Sequence, residues 1–168
     1  MLNKIEDISF FNKDAKALAK DLIGKWIICN DKIGQICEVE AYNGINDSAC
    51  HSYKNKKTSR TEVMWGENGI IYIYLCYGLH NMFNIVCGGL NNPQAVLIRG
   101  IVGHVGPGKV TKYFNIDKSF NGKSIINNPN IYLADDGKKY KYYSASRVGI
   151  NYALYKDRIA KLRYCLKI

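Results

Sequence analysis

The stretch from Ile70 to Cys87 does most to limit the folds open to this chain. Ile70-Ile71-Tyr72-Ile73-Tyr74-Leu75-Cys76 is strongly β-prone, and Phe83-Asn84-Ile85-Val86-Cys87 is a second apolar run. Between them lies Tyr77-Gly78-Leu79-His80-Asn81, so the unit is predicted to be a β-hairpin with an aromatic side chain near its tip. The rest of the chain follows the same style. Residues 25–30 and 36–42 read as two strands joined at Asp31-Lys32-Ile33-Gly34. Residues 95–102 read as another, and residues 131–134, 147–150 and 162–166 as three more. Helical signals are few. Residues 13–22 carry an apolar stripe of Ala15, Leu18, Ala19 and Leu22 behind Asn12 as N-cap, with Gly24 just past the end. Pro107-Gly108-Lys109 opens a second short helix running to residue 115. Few helices and hairpin-joined strands predict an α+β fold with an antiparallel sheet rather than a βαβ array. No dinucleotide fingerprint, phosphate-binding loop or nucleophile elbow is present, so nucleotide cofactors and serine hydrolysis find no support.

The 168 residues contain no linker, repeat or low-complexity block and read as one domain spanning residues 1–168. Residues 43–69 are polar and glycine-punctuated, predicting a long surface excursion of the kind that usually carries function. No apolar run is long enough to span a bilayer, and residues 1–13 lack the apolar core of a signal peptide. A soluble, cytoplasmic protein with no membrane partner is expected. The cysteines at 29, 37, 50, 76, 87 and 165 match no zinc or redox spacing and read as small buried hydrophobes, with no metal site expected.

The formal net charge of +10 favours a polyanionic partner, nucleic acid before membrane. The joint richness in Lys, Asn, Ile and Tyr is equally the mark of an AT-rich genome. The distribution says more than the total. Between residues 68 and 116 there is no Asp or Glu, while Arg99, Lys109 and Lys112 all fall inside. A surface facing phosphates would tolerate such a segment; so would a set of buried strands.

Three constellations could carry chemistry. In Glu38-Val39-Glu40-Ala41-Tyr42 the two glutamates share one face of a strand. Alternation places Ile36 and Tyr42 on that face and Cys37, Val39 and Ala41 toward the core. The pair reads either as a solvated charged face or as a carboxylate beside an aromatic wall, placed to take a proton from water. The second is Asp47-Ser48-Ala49-Cys50-His51-Ser52, followed by Lys54, Lys56, Lys57 and Arg60. It reads either as a solvated basic loop or as a holder of a phosphate backbone. The third is Tyr72, Tyr74 and Tyr77. Ordinary sheet packing accounts for Tyr72, whereas a large aromatic at a hairpin tip is the kind of residue that wedges into a base stack.

These residues together resemble the alkyladenine (3-methyladenine) DNA glycosylases. The likeness runs from Leu18-Ala19-Lys20-Asp21-Leu22-Ile23-Gly24-Lys25 nearly to the C-terminus. It takes in Glu38-Val39-Glu40-Ala41-Tyr42, Thr58-Ser59-Arg60, Val63-Met64-Trp65-Gly66 and Tyr72 through His80. It ends with Ala95-Val96-Leu97-Ile98-Arg99, Gly106-Pro107-Gly108-Lys109-Val110 and Ser146-Arg147-Val148-Gly149-Ile150. The resemblance implies a curved, mostly antiparallel sheet with flanking helices and a protruding β-hairpin. It implies a monofunctional enzyme, without metal or organic cofactor, that flips an alkylated purine out of double-stranded DNA and hydrolyses its glycosidic bond. Glu40 would activate the water. Tyr42, His51 and Tyr74 would wall the base pocket, with Asn84 and Arg99 in the same site. Tyr77 would fill the gap in the base stack, Arg60 and Lys109 would contact the DNA backbone, and a monomer is expected. The other reading is a non-catalytic binder of damaged DNA that keeps the wedge. One departure stands out: only Gly100-Ile101-Val102-Gly103-His104-Val105 separates Arg99 from Gly106, where the family carries a longer basic segment.

Overall fold

The computed structural model describes residues 1–168. In chain order its regular elements are β1 (Asn3–Lys4), α1 (Ala15–Leu22), β2 (Trp26–Cys29), β3 (Lys32–Tyr42), β4 (Ile71–Cys76), β5 (His80–Cys87) and β6 (Gln94–Ile101). There follow β7 (His104–Val105), α2 (Pro107–Phe114), β8 (Ile131–Asp135), β9 (Tyr142–Ala145), α3 (Tyr155–Ile159) and β10 (Arg163–Leu166). All strand pairings are antiparallel, and the main sheet runs β1-β8-β2-β3-β6-β5-β4. The α+β expectation holds.

The eleven-residue β3 is the spine. Its first residues pair with β2, its remainder pairs with β6 on one edge, and Val39 and its neighbours pair with β10 on the other. Pairing on both edges fixes the two glutamates of β3 in the middle of the sheet. The turn into β3 is tighter than expected. Asn30 and Asp31 both take positive φ (49° and 65°), the two-residue turn whose twist matches a hairpin, so β3 begins at Lys32. The shortened segment after Arg99 is likewise a tight hairpin, with Ile101 opposite His104.

One face of the sheet packs on the helices. Ala15, Leu18, Ala19 and Leu22 of α1 and Val110 and Phe114 of α2 meet Val39, Ala41, Ile71, Ile73, Phe83, Ile85, Val96 and Ile98 in a single core. The N-cap of α1 is Asp14, not Asn12. Its carboxylate accepts from the Ala17 N–H at 2.7 Å, so the helix starts at Ala15, the first residue of its apolar stripe, two residues later than expected. Residues 147–150 form no strand. The strand on the other edge of β10 from β3 is β9, a short, mostly exposed run whose sequence has no apolar alternation.

Residues 43–69 correct a second expectation. They contain only short 3-10 turns, yet Asp47, Ala49, Cys50, Ser52, Thr61 and Met64 are buried. The segment is folded down onto the second face of the sheet, where Cys50 and Met64 pack with Tyr72, Val86 and Ala95.

Candidate active site

The pleat builds the site. Because Val39, Ala41, Ile71, Ile73, Phe83 and Ile85 enter the core, their neighbours Glu40, Tyr42, Tyr72, Tyr74 and Asn84 must project from the opposite face. A double irregularity sharpens this. Ile36 pairs with Ile101, Glu38 with Gly100 and Val39 with Ile98, so Cys37 on β3 and Arg99 on β6 have no partner opposite. Ile36 therefore returns to the core, against simple alternation, while Glu38, Glu40 and Arg99 converge on the outer face.

Neither glutamate is solvated. Glu40 is completely buried, and both its oxygens are engaged: Tyr42 Oη donates to Oε1 at 3.0 Å and the Val148 N–H to Oε2 at 2.6 Å. Arg99 Nε lies 3.9 Å from Oε2. Burial raises the Glu40 pKa, partly offset by Arg99, the Val148 N–H, Tyr42 and Arg147. A carboxylate so held is a stronger base than a solvated one, and the tight hydrogen bonds fix where it points.

Residues 146–159 are fastened across β3 to supply that N–H. Arg147 donates to both oxygens of Asp47 at 2.6 and 2.9 Å and to the Ala41 carbonyl at 3.0 Å. Its guanidinium lies 4.9 Å from the centre of the Tyr42 ring. Tyr152 Oη donates to the Ala49 carbonyl, and Ser48 bonds Asp157 and the Leu154 N–H.

Next to Tyr42, whose hydroxyl holds Glu40, opens a small pocket walled by Tyr42, His51, Tyr72, Tyr74, Asn84 and Tyr152. The His51 and Tyr74 rings are 4.5 Å apart, edge to face. His51 Nδ1 and Tyr72 Oη are hydrogen-bonded at 2.9 Å. Burial, then Arg60 and Lys56, push the His51 pKa down to about 4, so the imidazole is neutral at physiological pH. Burial raises the tyrosine pKa values, to about 12 for Tyr72, so the other rings are neutral phenols. The walls present electron-rich faces and no positive charge of their own. Asn84 Nδ2 donates to the Tyr72 and Met82 carbonyls, which fixes its amide at the pocket wall.

The hairpin tip is the second feature. Tyr77 is 93% exposed and has φ +51°, followed by Gly78 at +66°. A bulky aromatic in the left-handed region costs about 1–2 kcal/mol relative to an extended one, and hairpin turns of this kind normally take Asn, Asp or Gly. Nothing in the fold requires Tyr at that position.

Glu40, Tyr42, His51, Tyr74, Asn84 and Arg99 are thus brought together, with Tyr77 on the adjoining hairpin. Arg60 is exposed, its guanidinium 5.8 Å from the Tyr74 ring centre at the pocket mouth. Lys109 is exposed and lines a separate groove between α2 and the start of β5. Tyr72, expected only to pack, is a pocket wall and the partner of His51. Its alternation with Tyr74 was the available signal. Tyr152, Arg147 and Asp47 were given no role, and a lone sequence offers no sign that Arg147 and Asp47, 100 residues apart, meet.

The model of the family described as methylpurine-DNA glycosylase matches residues 9–105 and 102–168. The two matches meet at the shortened hairpin after Arg99. A protein of Borreliella afzelii is 44% identical over 172 residues, covering 93% of this chain and 92% of its own length. Relatives from Natranaerobius thermophilus (40% identity, 91% of each chain) and Clostridium novyi (36%, 86% of each) are comparably similar. All three carry the name "Putative 3-methyladenine DNA glycosylase". The chain belongs to the methylpurine-DNA glycosylase family.

Proposed function

We propose that this member of the methylpurine-DNA glycosylase family is a monofunctional DNA glycosylase acting on alkylated purines in duplex DNA. The observation that carries the reading is Glu40: fully buried, bonded at both oxygens, and tied through Tyr42 to a pocket of neutral aromatic rings. An alkylated purine carries positive charge, which favours stacking on electron-rich rings and departure from the sugar. Only an extruded nucleotide reaches such a cavity, and unstacking is least costly at a damaged base.

Glu40 takes a proton from water as the oxygen bonds to C1′. The glycosidic bond breaks with its electron pair moving to the purine, which leaves uncharged. The carboxylate also stabilises positive charge developing on the sugar. With water as nucleophile the product is an abasic site in an intact strand. The absence of acidic residues between 68 and 116 favours approach of a phosphate backbone to the face bearing the hairpin. Single-turnover incubation with methylated duplex, and separately with 1,N6-ethenoadenine and hypoxanthine duplexes, tests the reading. Alkali-labile sites are expected from at least the methylated DNA; tight binding without any excision would instead favour the non-catalytic binder.

Tyr77 is assigned to the gap left by the extruded nucleotide. Tyr77→Asn relieves the left-handed strain while removing the wedge. Its melting temperature should equal or exceed the parent's, while affinity for lesion duplex falls about tenfold or more, the equivalent of losing part of the unstacking compensation. Unchanged affinity would place the wedge elsewhere.

A further inference from the structure

Glu38 is the carboxylate the proposed reaction leaves unused, and it is buried. Its Oε1 accepts from Arg99 Nε at 3.2 Å and from a terminal nitrogen of Arg163 at 3.0 Å. The space it occupies is made for it. Opposite stands Gly100, where a Cβ would lie 3.2 Å from the Glu38 Cβ. Arg99 is therefore shared unequally, 3.2 Å from Glu38 and 3.9 Å from Glu40. Arg163 is anchored in turn, its Nε donating at 2.8 Å to the carbonyl of Ser146, two residues before the N–H that holds Glu40.

We propose that Glu38 is a positioning residue that holds Arg99 back from a direct ion pair with Glu40, and that Arg163, by sharing Glu38, sets how firmly Arg99 is held. A direct Arg99–Glu40 pair would stabilise the carboxylate and weaken it as a base. Drawing Arg99 toward Glu38 keeps its charge near the developing reaction without neutralising the group that must accept a proton. This rests on the glycosylase reading above and adds a reason for the second glutamate of β3.

The groups facing Glu40 are Tyr42 on its own strand, Arg99 on β6, Arg163 on β10, and Arg147 with the Val148 N–H from the closing segment; Tyr74 on β4 and Tyr152 lie further off. The tyrosines are held above their usual range and stay protonated, while His51 in the pocket gains a proton only at about 4, so the acid limb carries Glu40 with His51 as the other pocket group that titrates there.

The test is the pH profile of single-turnover excision from methylated duplex for the parent protein, Glu38→Gln and Arg163→Gln, with thermal melting for each. In Glu38→Gln, Arg99 is released to Glu40, so the acid limb should move to lower pH by about one unit. Its plateau rate should fall about 10- to 100-fold through misplacement of the guanidinium. In Arg163→Gln, Glu38 depends wholly on Arg99 and draws it away from Glu40, so the limb should move to higher pH. Loss of either charge moves the limbs in these directions through space alone, so the charge-conserving Glu38→Asp and Arg163→Lys carry the discrimination. The shorter Glu38→Asp carboxylate releases Arg99 and should still lower the limb, whereas Arg163→Lys loses the geometry that shares Glu38 and should still raise it. Charge-conserving variants whose limbs coincide with the parent's would overturn the inference. Arg163 is partly exposed, so Arg163→Lys carries the test alone if the Glu38 variants melt below the assay temperature, an upward shift supporting the inference and no shift overturning it. A folded parent that excises nothing would instead sink the glycosylase reading, and this inference with it.

Discussion

Glu40→Gln is expected to lower single-turnover excision by about 10²–10⁴-fold, the usual contribution of a positioned general base, while lesion-duplex affinity stays within about threefold. The amide is nearly the same size, and its carbonyl can accept from the Val148 N–H while its NH₂ donates to Tyr42 Oη. The fold therefore has no reason to fail, and thermal melting should find the variant at least as stable as the parent. Excision at the parent rate would remove Glu40 from the mechanism. A pH dependence accompanies this. Glu40 acts only when ionised, and burial raises its pKa above the ordinary value of 4.5, so the parent rate should fall with decreasing pH at a limb above that value. The linkage has the opposite sign for stability. Because the folded-state pKa is raised, the contribution of Glu40 to stability is fully present below its unfolded pKa and is lost as pH rises through the folded one. At neutral pH the base is kept at the expense of the fold.

Arg147→Met is expected to destabilise the protein by about 3–5 kcal/mol, because it leaves Asp47 buried without its cation. Both side chains are almost inaccessible, and the pair joins the segment after β3 to the segment before α3. At this chain length that loss corresponds to a melting point lower by about 10 °C. The double variant Arg147→Met/Asp47→Asn should recover part of it, since the buried charge is gone and the asparagine Oδ1 can accept from one of the two N–H groups, of Asn43 and Ala49, that now bond separate oxygens of Asp47. A single variant melting within about 1 °C of the parent would show that the pair contributes little. Excision should suffer beyond the stability loss, since Arg147 precedes the residue whose N–H holds Glu40.

The hairpin at 71–87 was legible because strand alternation and a glycine-bearing turn are local signals. So were the apolar stripe of α1 and the tyrosines that share a face. The failures have physical causes. Residues 147–150 look like a strand, but the Val148 N–H is donated to a carboxylate and Arg147 is drawn into an ion pair, leaving no ladder to form. Residues 43–69 look like a surface loop because their buried members are small or polar and satisfied by hydrogen bonds, some local, as the Ala49 N–H is by Asp47, and some distant, as Ser52 is by the Pro93 carbonyl. Such burial has no period to read. Ile36 was placed on the wrong face because a bulge inserts a residue without leaving a mark in the pattern.

The sequence by itself determined the hairpin-joined strands between residues 25 and 102, that Glu40 and Tyr42 would leave the core face, that Tyr72 and Tyr74 would share a face, and that an aromatic would stand at the hairpin tip. Each follows from periodicities of two and from turn chemistry acting over a few residues. Only the tertiary structure decided that Glu40 is dry, that its oxygens are held by Tyr42 and Val148, and that Arg99 stands between two carboxylates. Those facts depend on pairings between residues far apart in the chain and on the two register shifts flanking Glu38, and no local preference encodes either.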